Sequence, residues 1–181
     1  MGQGYRAVIL ASETEPEIIR TWIDSHSYGN GYKLMEHSYI GNAYVQALEY
    51  LISPLGMFYK SRVVWAGDYA DPEAGSDKNL NAFTSDDEVE GRVSQPSRYD
   101  MSPYRYIVNH TQKVYVDKNC GEEGGWRVHP LPLLTAEGNG RGGGDYRGIT
   151  DQLVGTWARN VISVEKEVPD GYTELVCEFA H

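Results

Sequence analysis

The chain has 181 residues, 40% of them hydrophobic and 23% charged, with a formal net charge of −10 at pH 7. That length and apolar content suit one domain spanning 1–181 with a buried core, and they exclude wholesale disorder. The acidic balance argues against a nucleic-acid backbone as partner, because phosphate binding runs on clustered Lys and Arg.

Tyr5 to Ala11 (Tyr-Arg-Ala-Val-Ile-Leu-Ala) reads as a first, largely buried strand. Thr14 with Glu17 three residues on has the form of a capping box. Ile18, Ile19, Trp22 and Ile23 follow at helical spacing, so a helix of about ten residues is expected from Thr14. Turn formers from Ser25 to Gly31 end it. Ser38 is the expected N-cap of a second helix. Its stripe of Ile40, Ala43, Tyr44, Ala47, Leu48, Leu51 and Ile52 covers one helical face and stops before Ser53-Pro54. The period then changes to two, and Met57 to Ala66 reads as a strand.

Between Asp68 and Glu90 lie eight acids (Asp68, Asp71, Glu73, Asp77, Asp86, Asp87, Glu88, Glu90) and one base, Lys78. With few apolar residues and no period, 67–103 is expected to be an acidic, partly mobile surface loop. Tyr104–Val108 and Lys113–Asp117 flank Asn109-His-Thr-Gln112 as a hairpin. A turn cluster from Cys120 to Gly125 leads to an expected strand over Trp126–Leu134. Farther on, Val154 to Val168 is strand-like. Pro169-Asp-Gly171 makes a turn, and Tyr172 to Phe179 is expected to return as its hairpin partner. These elements predict an α+β fold: a mainly antiparallel sheet of five to seven strands, with two N-terminal-half helices packed on one face.

The strongest candidate for a site is the loop that follows His129-Pro-Leu-Pro-Leu-Leu134, with six glycines between Gly138 and Gly148. Glycine lets backbone N–H groups approach a partner closely, and ordering so much of it is costly. Gly140 and Gly142 bracket Arg141, and Asp145 and Arg147 follow. Together they are candidates for an anion nest. The alternative is a structural turn pinned by Asp145 pairing with an arginine. The loop is neither a Walker A sequence nor a dinucleotide fingerprint. His110, in the hairpin turn, and His129, before Pro130, join the candidates if they meet near Arg141.

The acids from Asp68 to Asp77 miss the EF-hand spacing, so no metal site is expected. No cofactor is expected either. There is no Gly-x-Ser-x-Gly elbow, and Cys120 has no neighbouring base. Two cysteines, Cys120 and Cys177, make no disulfide framework. The start Met-Gly-Gln-Gly-Tyr5 lacks the charged and apolar regions of a signal peptide, and no run is long and apolar enough to span a bilayer. A soluble, cytoplasmic protein is expected.

Three stretches resemble a family of small microbial proteins with no assigned activity: Lys33-Leu-Met-Glu-His-Ser-Tyr-Ile-Gly-Asn42, Tyr106-Ile-Val-Asn-His-Thr-Gln-Lys-Val-Tyr-Val-Asp117, and His129 to Thr135 with its glycine loop. The resemblance implies that the three segments share one compact architecture. It implies no functional residue.

Two functions follow from these residues. The first is a non-enzymatic binding protein, inhibitor or immunity-like, that presents an acidic, tyrosine-rich surface to a basic protein partner. The support is the acidic stretch and 14 tyrosines against 3 phenylalanines. The second is an enzyme or sponge for a phosphorylated or nucleotide-like small molecule at the glycine loop 138–148, using Arg141, Arg147 and His110 or His129.

Overall fold

The computed structural model describes residues 2–11, 17–77, 79–85, 99–119, 127–139 and 151–177. One sheet holds the strands β1 (Tyr5–Leu10), β2 (Ile19–Ile23), β3 (Ser61–Gly67), β4 (Tyr106–Asn109), β5 (Val114–Asp117), β6 (Ala136–Glu137), β7 (Val161–Glu165) and β8 (Thr173–Glu174). Their order is β2-β1-β3-β7-β4-β5-β8, with β6 paired to β3 off that path. The β3–β6 and β5–β8 pairings are parallel and the others antiparallel. The helices are α1 (Leu34–His37), α2 (Ala43–Ile52) and α3 (Pro130–Leu134). The fold is therefore α+β with a mostly antiparallel sheet. It has one strand more than the sequence suggests, and its third helix lies in the second half of the chain.

The central strands are apolar on both faces because both faces are covered. Ala7, Ile9, Val63 and Trp65 point into the main core, where α2 contributes Tyr44, Ala47, Leu48 and Leu51. Val8, Leu10, Val64 and Ala66 point the other way, into a smaller cluster closed by Trp22, Ala82, Phe83 and Ala158. Within the expected acidic loop, Ala82 and Phe83 thus pack on the second face of the sheet. Asn81 shapes them: its side-chain amide donates to Ala70 O at 2.9 Å, and its Oδ1 accepts from Phe83 N at 3.0 Å and Thr84 N at 3.1 Å. Residues 86–98 of the acidic stretch lie outside the described residues.

Four local expectations are overturned. The segment expected to form a helix from Thr14 carries β2 instead. Its β-branched Ile19, Thr21 and Ile23 suit a strand, and Glu17 pairs with Arg62, at 2.9 and 2.8 Å. The long helix begins at Ala43, capped by Asn42 and not by Ser38. Asn42 Oδ1 accepts from Tyr44 N at 2.9 Å and Val45 N at 3.3 Å, after Gly41 at φ +86° has broken any continuous helix.

The strand expected over Trp126–Leu134 is mostly α3. His129 Nδ1 caps it by accepting from Leu131 N at 3.2 Å, and Pro130 and Pro132 sit in the first turn, where a missing N–H costs nothing. Lastly, β8 is not the hairpin partner of β7, whose two edges are already taken by β3 and β4. Beyond the Gly171 turn (φ +79°) the chain instead joins β5, with Thr173 N donating to Lys113 O at 3.1 Å and Leu175 N to Tyr115 O at 2.7 Å.

A buried polar knot joins the helical segment to the sheet. Trp65 Nε1–H donates to His37 Nε2 at 2.8 Å, so His37 Nδ1 carries the proton and donates to Gly31 O at 3.1 Å. The Tyr44 hydroxyl is inserted between β1 and β2, accepting from Ala7 N at 2.7 Å and donating to Ile23 O at 3.2 Å. Tyr44→Phe would leave both backbone groups buried and unpaired. It is expected to cost about 2 kcal/mol in urea unfolding.

Burial lowers the His37 pKa to about 4, against smaller raising effects from Gly31 O and Glu36. The native state therefore keeps His37 neutral, whereas the unfolded chain takes up a proton below about pH 6.5. This contribution is fully present above pH 6.5 and is lost as pH falls toward 4. Denaturant titrations are expected to show about 3 kcal/mol of such loss, absent from His37→Asn.

Candidate functional site

His110 lies in the β4–β5 turn, with its backbone N–H on Val161 O at 2.8 Å. Its ring reaches two other segments: Nε2 is 2.7 Å from Ser163 Oγ on β7, and Nδ1 is 2.9 Å from the Tyr172 hydroxyl ahead of β8. Ser163 and Glu165 share a sheet face, being two apart on one strand. Glu165 Oε1 accepts from Ser163 Oγ at 2.6 Å and from the Tyr59 hydroxyl at 2.8 Å. The Ser163 proton is thereby committed to Glu165, so Ser163 accepts from His110 Nε2–H, and neutral His110 accepts from Tyr172 at Nδ1.

That direction of hydrogen bonding decides the chemistry. A serine nucleophile needs the histidine as its base, but here the histidine is its donor and Ser163 is fully buried. The array is a polar clasp across β7, the β4–β5 turn and the start of β8. Partial burial and the charge of Lys60 lower the His110 pKa, opposed by Glu165. Burial and the Glu165 hydrogen bond push Tyr59 up to about 12.

The same face carries Tyr106 and Tyr115, edge to face at 5.7 Å, with Asp117 opposite Tyr106 and Glu174 opposite Tyr115. Asp117 is paired with Arg105. Leu55, Met57 and Tyr59, in the segment between α2 and β3, are 63%, 62% and 40% exposed.

His129 does not join His110; the two share no partner. It is 1% exposed, with Nδ1 capping α3 and Nε2 3.1 Å from Glu49 Oε1, a close approach without good hydrogen-bond alignment. Lys118 Nζ completes this cluster, 2.7 Å from Glu49 Oε1 and 2.9 Å from Met101 O. Burial alone would raise the Glu49 pKa, but His129 and Lys118 outweigh it and hold the group below the usual carboxylate range. Gly140, Arg141, Gly142, Asp145 and Arg147 lie outside the described residues, which stop at Asn139 and resume at residue 151.

A second charged cluster was not legible at all. Arg159, in the left-handed region at φ +64°, donates to Glu137 at 2.8 and 2.7 Å and to Glu73 at 2.8 and 2.6 Å, and lies 3.3 Å from Glu17. Burial opposes its charge, but the hydrogen bonds it donates to Glu137 and Glu73 outweigh this and raise its pKa. Glu73, from the acidic stretch, is therefore an interior ion-pair partner and not surface charge. Sequence reasoning also passed over Arg20, Lys60 and Arg62, which line a cavity at the ends of β1, β3 and β7. Their only signal was Lys60-Ser-Arg62, two cations on one side of an entering strand.

Among the described residues no group of three or more His, Cys, Asp or Glu is placed to hold a metal ion, and no helix is long and apolar enough to cross a membrane. Cys177 is buried. Comparison of the chain with known protein families, curated proteins and solved structures returns no match.

Arg159 is the cation that the buried Glu73 and Glu137 share. Arg159→Met is expected to lose about 3 kcal/mol at pH 7. Urea unfolding of the two proteins at pH 7 checks it.

Proposed function

We propose that this chain is a non-enzymatic binding protein that docks a basic protein partner on the surface around Leu55, Met57 and Tyr59. The observation that carries the reading is the exposure of these three large apolar side chains within five residues, at 63%, 62% and 40%. An apolar centre rich in Met and Tyr, rimmed by polar groups, is the usual make-up of a protein interface. The rim here is the tyrosine-bearing sheet face, with Tyr106, Tyr115 and Tyr172 partly exposed and Glu174 exposed. Tyrosine rings and carboxylates suit Lys and Arg side chains, by cation–π contact and charge pairing. The net charge of −10 adds attraction toward a basic partner at long range.

Charge alone is a weaker support than composition suggests, because Asp68 accepts from Gly4 N at 3.0 Å and Glu73 is bound to Arg159. The apolar patch therefore bears the greater weight. The other reading, a phosphorylated ligand at the glycine loop 138–148, rests on a segment of which 140–148 lie outside the described residues.

Quantitative capture from the native host, with the native chain and a Met57→Asp, Tyr59→Ala double variant as baits, tests the proposal. The expected result is a protein of basic net charge held by the native bait and reduced about tenfold on the variant. Its retention should fall as salt rises above ~0.15 M. Equal capture by both baits, an acidic partner, or self-association alone would overturn the reading.

A further inference from the structure

An open cavity of about 400 Å³ lies at the ends of β1, β3 and β7, with Leu10, Ala11 and Val161 as apolar lining and Arg20, Lys60, Ser61 and Arg62 as polar lining. Three cations thus share one cavity in a chain whose net charge is −10. Arg62 is fixed in place: its terminal nitrogens donate to Glu17 at 2.9 and 2.8 Å, and its Nε donates to Arg159 O at 3.0 Å. Arg20 and Lys60 are differently placed. The Arg20 guanidinium lies 5.3 Å from the Phe58 ring and the Lys60 ammonium 5.1 Å from the Tyr59 ring. Among the described residues neither has a carboxylate partner. Partners are not scarce, since the chain holds 26 acidic residues for 16 Lys and Arg.

The backbone gives an independent indication. Lys60 sits at φ +54°, in the left-handed region that glycine occupies freely and lysine does not. A cation is held there against conformational preference, and strain of this kind clusters at ligand sites. The cavity is also of the size that encloses a small organic ligand.

We propose that this cavity binds the phosphate group of a small molecule. Arg20 supplies a planar fork and Lys60 a point charge for the phosphate oxygens. Ser61 adds a hydroxyl donor. Arg62, locked by Glu17, forms the rigid wall, and Leu10 and Val161 take any organic portion. The site adjoins the docking surface proposed above, because the Tyr59 ring neighbours the Lys60 ammonium, but it is tested with phosphate probes and at position 20 as well as 60, so either proposal can fail alone.

Calorimetric titration of the full chain with inorganic phosphate and with glycerol phosphate tests the proposal, with acetate as a control anion. Phosphate-bearing probes are expected to bind and acetate not. Tighter binding of glycerol phosphate assigns the site to a phosphomonoester, and equal or weaker binding to the free ion. Arg20→Ala and Lys60→Gly are each expected to weaken binding by about tenfold or more. Lys60→Gly also relieves the positive φ, so its melting temperature should hold or rise, which separates lost binding from lost folding. Absence of heat with both phosphate probes, equal affinity for acetate, or native-like binding by Lys60→Gly would overturn the proposal.

Discussion

The arrangement of this protein turns on the need to satisfy polar atoms at the centre of its core. Trp65 is fully buried in β3, and an indole N–H in that position must find an acceptor. His37 supplies it, and Tyr44 supplies the hydroxyl that completes the β1–β2 seam. These contacts leave the segment from Ser25 to Ile52 one way to sit on the sheet, because any shift strands several buried donors together. The position of α2 in turn fixes where the chain leaves it, and so where Leu55, Met57, Tyr59 and Lys60 stand. Both proposed binding surfaces inherit their geometry from a knot that touches neither.

Charge is distributed in a way that net values conceal. Two interior sets, Glu49 with Lys118 and His129, and Glu73 and Glu137 with Arg159, consume acids and bases away from water. Isolated buried ions would be costly, so each carboxylate is matched by a close cation. One result is that, among the described residues, an acidic chain has at one end of its sheet a small region where cations outnumber acids.

What the sequence discloses is what repeats locally. The run Tyr5 to Leu10, the stripe through Ala43 to Ile52 and the pair of β-rich runs around His110 show the periodicity of their elements, and the structure agrees with each. Ile19, Trp22 and Ile23 fit a helix face and a strand almost equally, and only the open edge of β1 decides between them. His129-Pro130 carries a helix-start signal, proline in the first turn, which the surrounding apolar run obscures. The candidate site was legible in part. His110 stands out as a titratable turn residue, but Ser163 and Tyr172 are brought to it by sheet order, which no local pattern encodes. Arg20 and Lys60 do not stand out as letters, because what distinguishes them is that, among the described residues, neither meets a carboxylate in space.

The position of β3 has a consequence for the birth of the molecule. It pairs with β1 before it and with β6 and β7 far beyond it. A nascent chain that has emerged through Gly67 can form the three-stranded β2-β1-β3 unit, but its outer edge then waits for strands not yet translated. Closing such distant pairings is entropically slow, on the order of milliseconds to seconds in sheet proteins of this kind. During that interval Val63, Val64 and Trp65 border an open edge, which makes synthesis, more than the mature state, the period of greatest exposure to aggregation.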